Sequence, residues 1–338
     1  MTTLHTLIEF EQKAPLGAFL LHLERECSLC TTLHTFYDKM GLMATTVKES
    51  FRQYAQNLNI TDKQETKVSN CKNNVTDVIS KKLSLHSDGG RVIGSWDRDT
   101  MIRYLSEGDV DLMVVLHHGD NKDWDNNSGP DKALDKFKSI LDDKYSDTTI
   151  RKDRNCVSMQ LSEFTLDVVP AFKYDTGNYR IPDTYRGVWV STNPIEFAKK
   201  ITAVNKTMDG CFVPLIKMVK GWNRERGWPI RSFHLETMIY EHYKNYEKAY
   251  TYDSTLKVFF NDLPGYLRSP CYDPVTSDRL DGYLDNGTNP TKRTEAIEKA
   301  ERAASKTSEA MEYTEAGKEQ KAIEIWESLL GEFFPAYG

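Results

Sequence analysis

Three aspartates lie in apolar, strand-like segments where a carboxylate is hard to accommodate. Asp109 and Asp111 are two residues apart in "DVDLMVVL", and Asp167 lies inside "FTLDVVPAF". Side chains two residues apart on a strand point to the same face, so the charges of Asp109 and Asp111 repel each other. A carboxylate buried in an apolar strand is costly unless it is paired or bound to a metal ion. The three acids therefore indicate a site for hard divalent cations such as Mg²⁺.

Simpler interpretations of these acids exist. Asp109 and Asp111 could be solvated residues at the start of a strand. Asp167 could lie on an exposed edge strand, which the nearby Pro170 would tolerate. The metal site is favoured because it accounts for all three acids together.

A Gly-Ser pair precedes the acids and could bind phosphate. Gly94 and Ser95 follow a predicted strand and precede "RDTMIRYL", which the pattern predicts to be a short helix. Glycine lets backbone N–H groups approach an anion, serine adds a donor, and a helix start favours negative charge. The pair is also an ordinary turn dipeptide, so its position ahead of the acids carries the interpretation. Metal ions beside a bound triphosphate would support nucleotidyl transfer.

A basic segment could support the leaving pyrophosphate. The range Lys199–Arg231 contains eight Lys and Arg residues and two acids, although the whole chain has a net charge of −6. Lys217 and Lys220 are three residues apart and share one face of a predicted helix. A solvated basic face is the alternative for both lysines.

The elements that would position these residues change character along the chain. Thr61 and Gln64 form a capping-box pattern, which predicts a long helix to about Leu85. Beyond a predicted turn at "SDGG", the pattern indicates short strands and one helix. These are "RVIG", "VDLMVVL", Cys156–Leu161, Phe164–Phe172 and the helix Asp131–Asp142. From Asn193 onward the periodicity is almost wholly helical, so the predicted fold class is α+β with a mixed sheet and a helical bundle.

The domain organisation follows from this change. We predict a catalytic lobe at 1–192 with N-terminal helices, including the apolar pattern "LGAFLLHLEREC". A helical lobe should follow at 193–330. The final residues, 331–338, lose periodicity and predict a flexible tail.

Composition excludes several classes of protein. The sequence contains no run of about 18 apolar residues, and its amino terminus lacks the basic and apolar parts of a secretory signal. A cytoplasmic protein without membrane contact is expected. Cys27 and Cys30 are the one close cysteine pair, and no second ligand pair at zinc spacing accompanies them, so reduced thiols are expected.

Five ordered motifs give the chain a family resemblance. They are "GSWDRDTMIRYLSEGDVDLMVVL", "LDVVPAF", "WVSTNP", "LIKMVKGWNRERG" and "SFHLE". Together they resemble the CD-NTases, the cGAS/DncV-like enzymes of the DNA polymerase beta nucleotidyltransferase superfamily. The Gly-Ser and Asp-x-Asp motifs alone would also fit polyadenylating, CCA-adding or aminoglycoside-modifying enzymes. The resemblance covers the chain from about Val92 to its carboxyl end.

The resemblance implies a bilobed enzyme with a long N-terminal spine helix and a helical C-terminal lobe. Such an enzyme joins ATP or GTP into a cyclic or linear oligonucleotide signal, usually in the bacterial antiphage systems called CBASS. It uses two Mg²⁺ ions, for which Mn²⁺ can substitute. A downstream effector would be reached through the nucleotide product.

The resemblance also implies residue roles. Asp109 and Asp111 would bind both metal ions, and Asp167 would bind the catalytic ion and orient or deprotonate the ribose hydroxyl. The remaining roles concern nucleotide binding: Gly94, Ser95 and Thr100 at the triphosphate, with Lys217 and Lys220 in support, and Trp189, Ser191 and Asn193 at the base. Strand packing is the alternative for Trp189.

Partners follow from the same resemblance. A ubiquitin-transfer-like protein, or another CBASS regulatory protein, could control the enzyme, and Gly338 is the candidate conjugation residue. No zinc insertion of the animal DNA sensor is found, and the acidic net charge disfavours a long nucleic-acid activator. His234 begins an H-x-E motif of zinc deaminases, but no P-C-x-x-C accompanies it, so helix packing is expected there.

Three alternatives to a cyclic oligonucleotide synthase remain open. One is a template-independent transferase that extends RNA or modifies a small acceptor. Another is a synthase of linear 2′-5′ oligoadenylate. The third is an inert nucleotide-binding scaffold, which the presence of all three acids disfavours.

Overall fold

The computed structural model describes residues 43–174, 177–248, 250–286 and 291–338. The predicted helix at "LGAFLLHLEREC" and the pair Cys27 and Cys30 lie outside these ranges. Within them, no helix combines the length and the apolar character needed to cross a membrane.

The first part of the described chain alternates helices and strands. Its helices and strands are β1 (Met43–Ala44), α1 (Val47–Asn57), α2 (Asp62–Ser80), β2 (Leu85–Ile93), α3 (Gly94–Asp97), β3 (Asp109–Leu116), α4 (His118–Asn121), α5 (Gly129–Lys144), β4 (Thr149–Lys152), β5 (Val157–Gln160), β6 (Thr165–Lys173), β7 (Tyr179–Asp183) and β8 (Val188–Thr192). Short 3₁₀ turns lie at Leu105–Glu107 and Lys122–Trp124.

Seven strands form one mixed sheet. Its main path runs β2, β3, β6, β5, β4, while β7 extends from β6 and pairs with β8. Strands β3 and β6 are parallel, and the other neighbours are antiparallel. Strand β6 is therefore paired on both sides and lies in the middle of the sheet.

Helix α2 begins at the predicted capping box. The Gln64 backbone N–H donates to Thr61 Oγ1 and the Thr61 backbone N–H donates to Gln64 Oε1, which satisfies two free donors of the first turn. The helix packs closely on β2, since a Cβ added at Gly90 would lie 2.0 Å from Thr76 Oγ1. The predicted turn at "SDGG" is wrong, because these residues lie within β2 at a register shift between Leu85 and Gly90.

The short helix beside the Gly-Ser pair is shifted from its predicted place. It begins at Gly94 instead of after Ser95, and ends at Asp97. Asp99 then adopts a left-handed backbone conformation, φ 54°, which stops the helix from continuing into the predicted "RDTMIRYL" segment.

The second part of the described chain is mainly helical. Its elements are α6 (Pro194–Thr207), α7 (Phe212–Glu225), α8 (Ser232–Tyr243), α9 (Tyr252–Arg268), a 3₁₀ turn (Gly282–Asp285), α10 (Lys292–Glu315), α11 (Glu319–Leu330) and β9 (Ala336–Tyr337). The predicted bundle is thus present, and the chain matches the predicted α+β class.

Helix α1 packs into the helical core instead of the sheet. Phe51 is buried edge-to-face against Trp326 of α11, with ring centroids 4.9 Å apart. Tyr54 is also buried, and its hydroxyl donates to the Leu330 carbonyl. The expectation that the first 192 residues form one lobe therefore does not hold for α1, because its apolar face matches helices that come much later in the chain.

The last residues are packed, contrary to the flexible tail expected for 331–338. Phe334 is buried, and β9 pairs in parallel with β1. The Gly338 backbone N–H donates to the Ala44 carbonyl. Loss of helical periodicity indicated disorder, but one buried aromatic ring and a two-residue strand pair need no periodicity.

Candidate active site

The strand register brings the three predicted acids to one end of the sheet. Asp111 of β3 lies directly opposite Asp167 of β6 in the parallel pair, and Asp109 lies one strand repeat earlier on the same face. The edge-strand interpretation of Asp167 is wrong, because β6 has neighbours on both sides. Asp109 is exposed, whereas Asp111 and Asp167 are partly buried.

Burial makes the ionisation of these acids unfavourable. It raises the pKa of Asp111 to about 7, with a further contribution from the charge of Asp167. Burial also raises the pKa of Asp167, and burial together with the Asp167 charge raises that of Asp109. The acids are held close together with too little positive charge nearby.

Gly94 closes over Asp111. Its backbone has φ +71°, in the left-handed region that favours glycine, and an added Cβ would lie 2.3 Å from Asp111 Oδ2. Any larger residue would meet the carboxylate, so glycine is needed both for its conformation and for the close approach. Ser95 follows in the first turn of α3 and lines the adjoining cavity.

Two cavities meet at the acids. The first, of about 510 Å³, lies between the sheet and the helices α7 and α8. The second, of about 370 Å³, lies between the sheet and α6. Both are lined by the same five residues, which form their common wall: Gly94, Arg98, Asp111, Asp167 and Phe233. We call this wall the junction.

A buried ion cluster lies beside the junction and joins the sheet lobe to the helical lobe. The Arg98 Nε donates to Glu236 Oε2 at 2.7 Å, and the Lys220 Nζ donates to Glu236 Oε1 at 3.0 Å and to the Thr100 carbonyl at 2.9 Å. Burial alone would raise the pKa of Glu236, but the charges of Arg98 and Lys220 outweigh it and lower the pKa to about 2. Burial lowers the pKa of Lys220, and Glu236 opposes this shift.

The two predicted lysines differ in placement. Both are buried, so the solvated basic face is wrong for each. Lys220 lines the first cavity. Lys217 instead donates to Asp99 Oδ1 at 2.8 Å and to Asn59 Oδ1 at 2.9 Å, and it does not line either cavity at the junction.

Thr100 also points away from the cavities. Its side chain is buried, and its hydroxyl donates to the Ser95 carbonyl. This hydrogen bond ties the loop after α3 to the Gly-Ser turn. Thr100 therefore supports the Gly94–Ser95 turn, which is the predicted phosphate-binding segment.

The three predicted base-pocket residues are spread over β8 and the start of α6. Trp189 packs its ring on Phe172 and donates Nε1–H to the Trp124 carbonyl, as its strand-packing alternative expects. Ser191 is exposed and lines neither cavity at the junction. Asn193 caps α6 by accepting from the Glu196 backbone N–H and lines the second cavity.

Several cavity residues were not identified from sequence. Ser232 begins α8, whose N-terminus opens on the first cavity and could favour an anion. Arg98 lies three residues after Ser95, and Glu236 lies in the H-x-E motif that was interpreted as packing. Their separation in sequence gave no signal that they would meet. Asn155 lines the second cavity from the loop between β4 and β5.

His234 behaves as the packing interpretation expects. It is buried, its Nδ1 lies 3.1 Å from the Tyr283 hydroxyl, and burial lowers its pKa to about 4. It is not among the residues that line either cavity.

The acids are suited to a divalent cation. The buried Asp167 Oδ1 accepts no hydrogen bond from the described residues, so it is a free oxygen ligand at the junction. Within the described ranges, no three His, Cys, Asp or Glu side chains already converge as a closed metal site, so the acids would have to rotate toward a common ion. Carboxylate oxygens are the ligands that Mg²⁺ prefers, and the chemistry of this set therefore fits.

Comparison with known proteins agrees with this geometry. Residues 45–205 match the Second Messenger Oligonucleotide or Dinucleotide Synthetase (SMODS) domain. The chain is 27% identical over 316 residues to the cyclic AMP-AMP-AMP synthase of an Acinetobacter species, covering 84% of this chain and 85% of the relative.

Two solved structures share the fold. Vibrio cholerae DncV cyclic AMP-GMP synthase, in complex with the linear intermediate 5′-pppA(3′,5′)pG, superposes with a TM-score of 0.65 at 14% identity, covering 86% of this chain and 97% of DncV. Escherichia coli MS115-1 CdnC, in a complex with HORMA-deltaN, superposes with a TM-score of 0.63 at 16% identity, covering 85% of this chain and 98% of CdnC.

The mixed sheet, the helical lobe and the acids between them define a nucleotidyltransferase. These similarities agree with the resemblance to the CD-NTases, a family of cyclic oligonucleotide synthases, that was found in the motifs of the chain.

Proposed function

We propose that the protein joins ATP, GTP or both into a cyclic di- or trinucleotide and releases pyrophosphate. The observation that carries this proposal is the pair of cavities that meet at the acids. A reaction that links two nucleotides needs room for a triphosphate donor and for a second nucleotide, with both open to the same reacting centre. The Acinetobacter relative, named as a cyclic AMP-AMP-AMP synthase, makes ATP the first substrate to test.

The first cavity suits the donor triphosphate. It contains the Gly94–Ser95 turn, Lys220 and the N-terminus of α8 at Ser232, which together offer backbone, hydroxyl and ammonium donors. The second cavity contains aromatic and amide side chains, including Phe233, Asn155 and Asn193, which suit a nucleobase. Lys217 and Thr100 would support the first cavity through Asp99 and Ser95.

In the proposed reaction, a ribose hydroxyl of one nucleotide attacks the α-phosphorus of the other. An O–P bond forms, the bond from the α-phosphorus to the bridging oxygen breaks, and pyrophosphate leaves with that electron pair. Asp167 accepts the hydroxyl proton, and its raised pKa favours this role. Two Mg²⁺ ions held by Asp109, Asp111 and Asp167 would neutralise phosphate charge and lower the pKa of the hydroxyl.

The biological setting is part of the same proposal. A cytoplasmic enzyme of an antiphage system would pass its product to an effector and would be controlled by a partner protein. Conjugation at Gly338 would require the carboxyl terminus to separate from β1, because the Gly338 N–H is bonded to the Ala44 carbonyl.

The test is to incubate the purified protein with radiolabelled ATP, GTP, CTP and UTP and Mg²⁺ or Mn²⁺, followed by phosphatase. A phosphatase-resistant product that needs the metal and is lost in the double variant Asp109→Ala, Asp111→Ala is the expected result. Label that moves to added RNA would show a template-independent transferase, and a phosphatase-sensitive oligonucleotide would show a linear synthase. Label that remains in free nucleotide would contradict the proposal for the isolated protein.

A further inference from the structure

We propose that Arg98 is a catalytic residue that binds the phosphate at the junction with its two terminal nitrogens, and that Glu236 is its positioning residue. This inference rests on the proposed function, because it assigns the group that would contact the reacting phosphate. The sequence motifs gave Arg98 no role. The placement, the free hydrogen-bond donors and the local charge of Arg98 carry the inference.

Arg98 is buried at the meeting point of the two cavities. Its side chain is only 6% exposed, yet it lines both cavities together with Asp111 and Asp167. A hydroxyl that enters from one cavity and a phosphorus held in the other must meet at this wall. Arg98 therefore lies where the transferred phosphate would be.

The guanidinium is held in one orientation. Its Nε donates to Glu236 Oε2 at 2.7 Å, and its central carbon lies 5.3 Å from the Phe197 ring centroid and 5.5 Å from that of Phe233. A planar group fixed by one hydrogen bond and two aromatic rings loses little further freedom when it binds an anion.

The outer donors of Arg98 remain available. In the described part of the chain, neither Nη1 nor Nη2 donates a hydrogen bond, and neither is among the fully buried atoms without a partner, so both can be reached from the cavities that Arg98 lines. These nitrogens form the planar fork that matches phosphate oxygens. These accessible donors are therefore free to bind a phosphate that enters the junction.

The charge of the ion cluster around Glu236 also favours binding of an anion. Arg98 and Lys220 share the single carboxylate of Glu236, so this buried cluster has two cations and one anion. A phosphate that reaches Arg98 from the cavities would give this cluster a second anion.

The test compares Arg98→Lys with Arg103→Lys. Lysine keeps the charge at position 98 but cannot bond Glu236 and present a planar fork together. Arg103 is a matched control, because it lies on the same segment, stacks on the ring of Phe333 and is exposed outside both cavities. We would measure binding of α,β-methylene-ATP and α,β-methylene-GTP by calorimetry, kcat and KM from pyrophosphate release, and thermal stability.

We expect Arg98→Lys to weaken binding of the analogue that the wild type prefers by at least 10-fold and to lower kcat/KM by at least 100-fold. Arg103→Lys should match the wild type in both. Equal binding and equal kcat/KM for Arg98→Lys and the wild type, with only a lower melting temperature, would show that Arg98 merely ties the lobes together. If the wild type binds neither analogue and forms no product, the proposed function fails, and this inference fails with it.

Glu236→Gln gives a second, independent test if Arg98→Lys does not fold. Glutamine retains an oxygen that accepts from Arg98 Nε but removes the only carboxylate of the cluster. A bound phosphate would replace the lost negative charge, so the analogue should raise the melting temperature of Glu236→Gln by more than it raises that of the wild type. An equal or smaller rise would contradict the inference.

Discussion

At the scale of single residues, the site depends on carboxylates that burial makes difficult to ionise. Asp111 lies at the floor of the cavities, under Gly94 and opposite Asp167, and its pKa is raised to about 7. A group that binds protons more tightly in the folded state stabilises the fold when it is protonated. The contribution of Asp111 to the free energy of unfolding without metal should therefore fall as pH rises from about 4 to about 7.

This gives a stability prediction for Asp111→Asn. The amide removes the buried charge, so in EDTA at pH 8 the variant should be more stable than the wild type by roughly 2 kcal/mol or more, with no such difference near pH 4. Urea unfolding at a series of pH values measures it. Mg²⁺ should stabilise the wild type at pH 8 and reduce the difference in stability between Asp111→Asn and the wild type.

Asp147→Asn is the control, because Asp147 is exposed and lines neither cavity at the junction. Its stability should follow that of the wild type at every pH. An Asp111→Asn variant that is never more stable than the wild type between pH 4 and pH 8 would contradict the raised pKa of Asp111.

At the scale of elements, the first and last elements of the described chain pack against each other. Strand β9 pairs with β1, and Phe334 packs edge-to-face on Phe51 and Tyr54 of α1 at centroid distances of 5.1 and 5.3 Å. The preceding residue, Phe333, packs on Tyr104, which lines the first cavity. The carboxyl-terminal segment is therefore part of the helical core and touches the wall of the candidate site.

Phe334→Ala should therefore destabilise the protein by about 3 to 5 kcal/mol, because it leaves a cavity between α1 and α11. Tyr337→Ala, at a position that is 42% exposed, should change the stability by less than about 0.5 kcal/mol. Denaturant unfolding of both variants tests this. If both have wild-type stability, the segment does not pack in solution as described.

At the scale of the whole molecule, the lobes meet through charged groups around the cavities. Arg224 of α7 donates from Nε and Nη2 to Glu107, which lies just before β3, and its guanidinium stacks 3.4 Å from the Tyr104 ring centroid. The positive charges of Arg224 and Arg98 therefore form ion pairs between the lobes and beside the candidate site. The full sequence has a formal net charge of −6.

This charge balance predicts that long duplex DNA does not activate the enzyme. Activation by a duplex needs a broad basic surface, and each phosphate contact would release a counterion and make binding sensitive to salt. Product formation with and without duplex DNA, at two ionic strengths, measures it. A rise in rate with duplex that weakens as salt increases would show that a basic surface exists despite the net charge.

The sequence by itself determined the residue types, their spacing and the order of elements. Asp-x-Asp on one strand and an isolated Asp on another, after a Gly-Ser turn, predicted the acids that the structure brings together, because strand periodicity and chain order are local properties. Capping and helical periodicity likewise predicted α2 and the bundle.

Only the tertiary structure decided which residues meet across long separations. It paired Arg98 with Glu236, turned Lys217 toward Asp99 and Thr100 toward Ser95, and packed Phe334 into the core. These contacts depend on how two lobes close on each other, and neither periodicity nor local spacing encodes that closure. For the same physical reason, the sequence indicated the three acids of the candidate site but not Arg98, which lines both cavities together with Asp111 and Asp167.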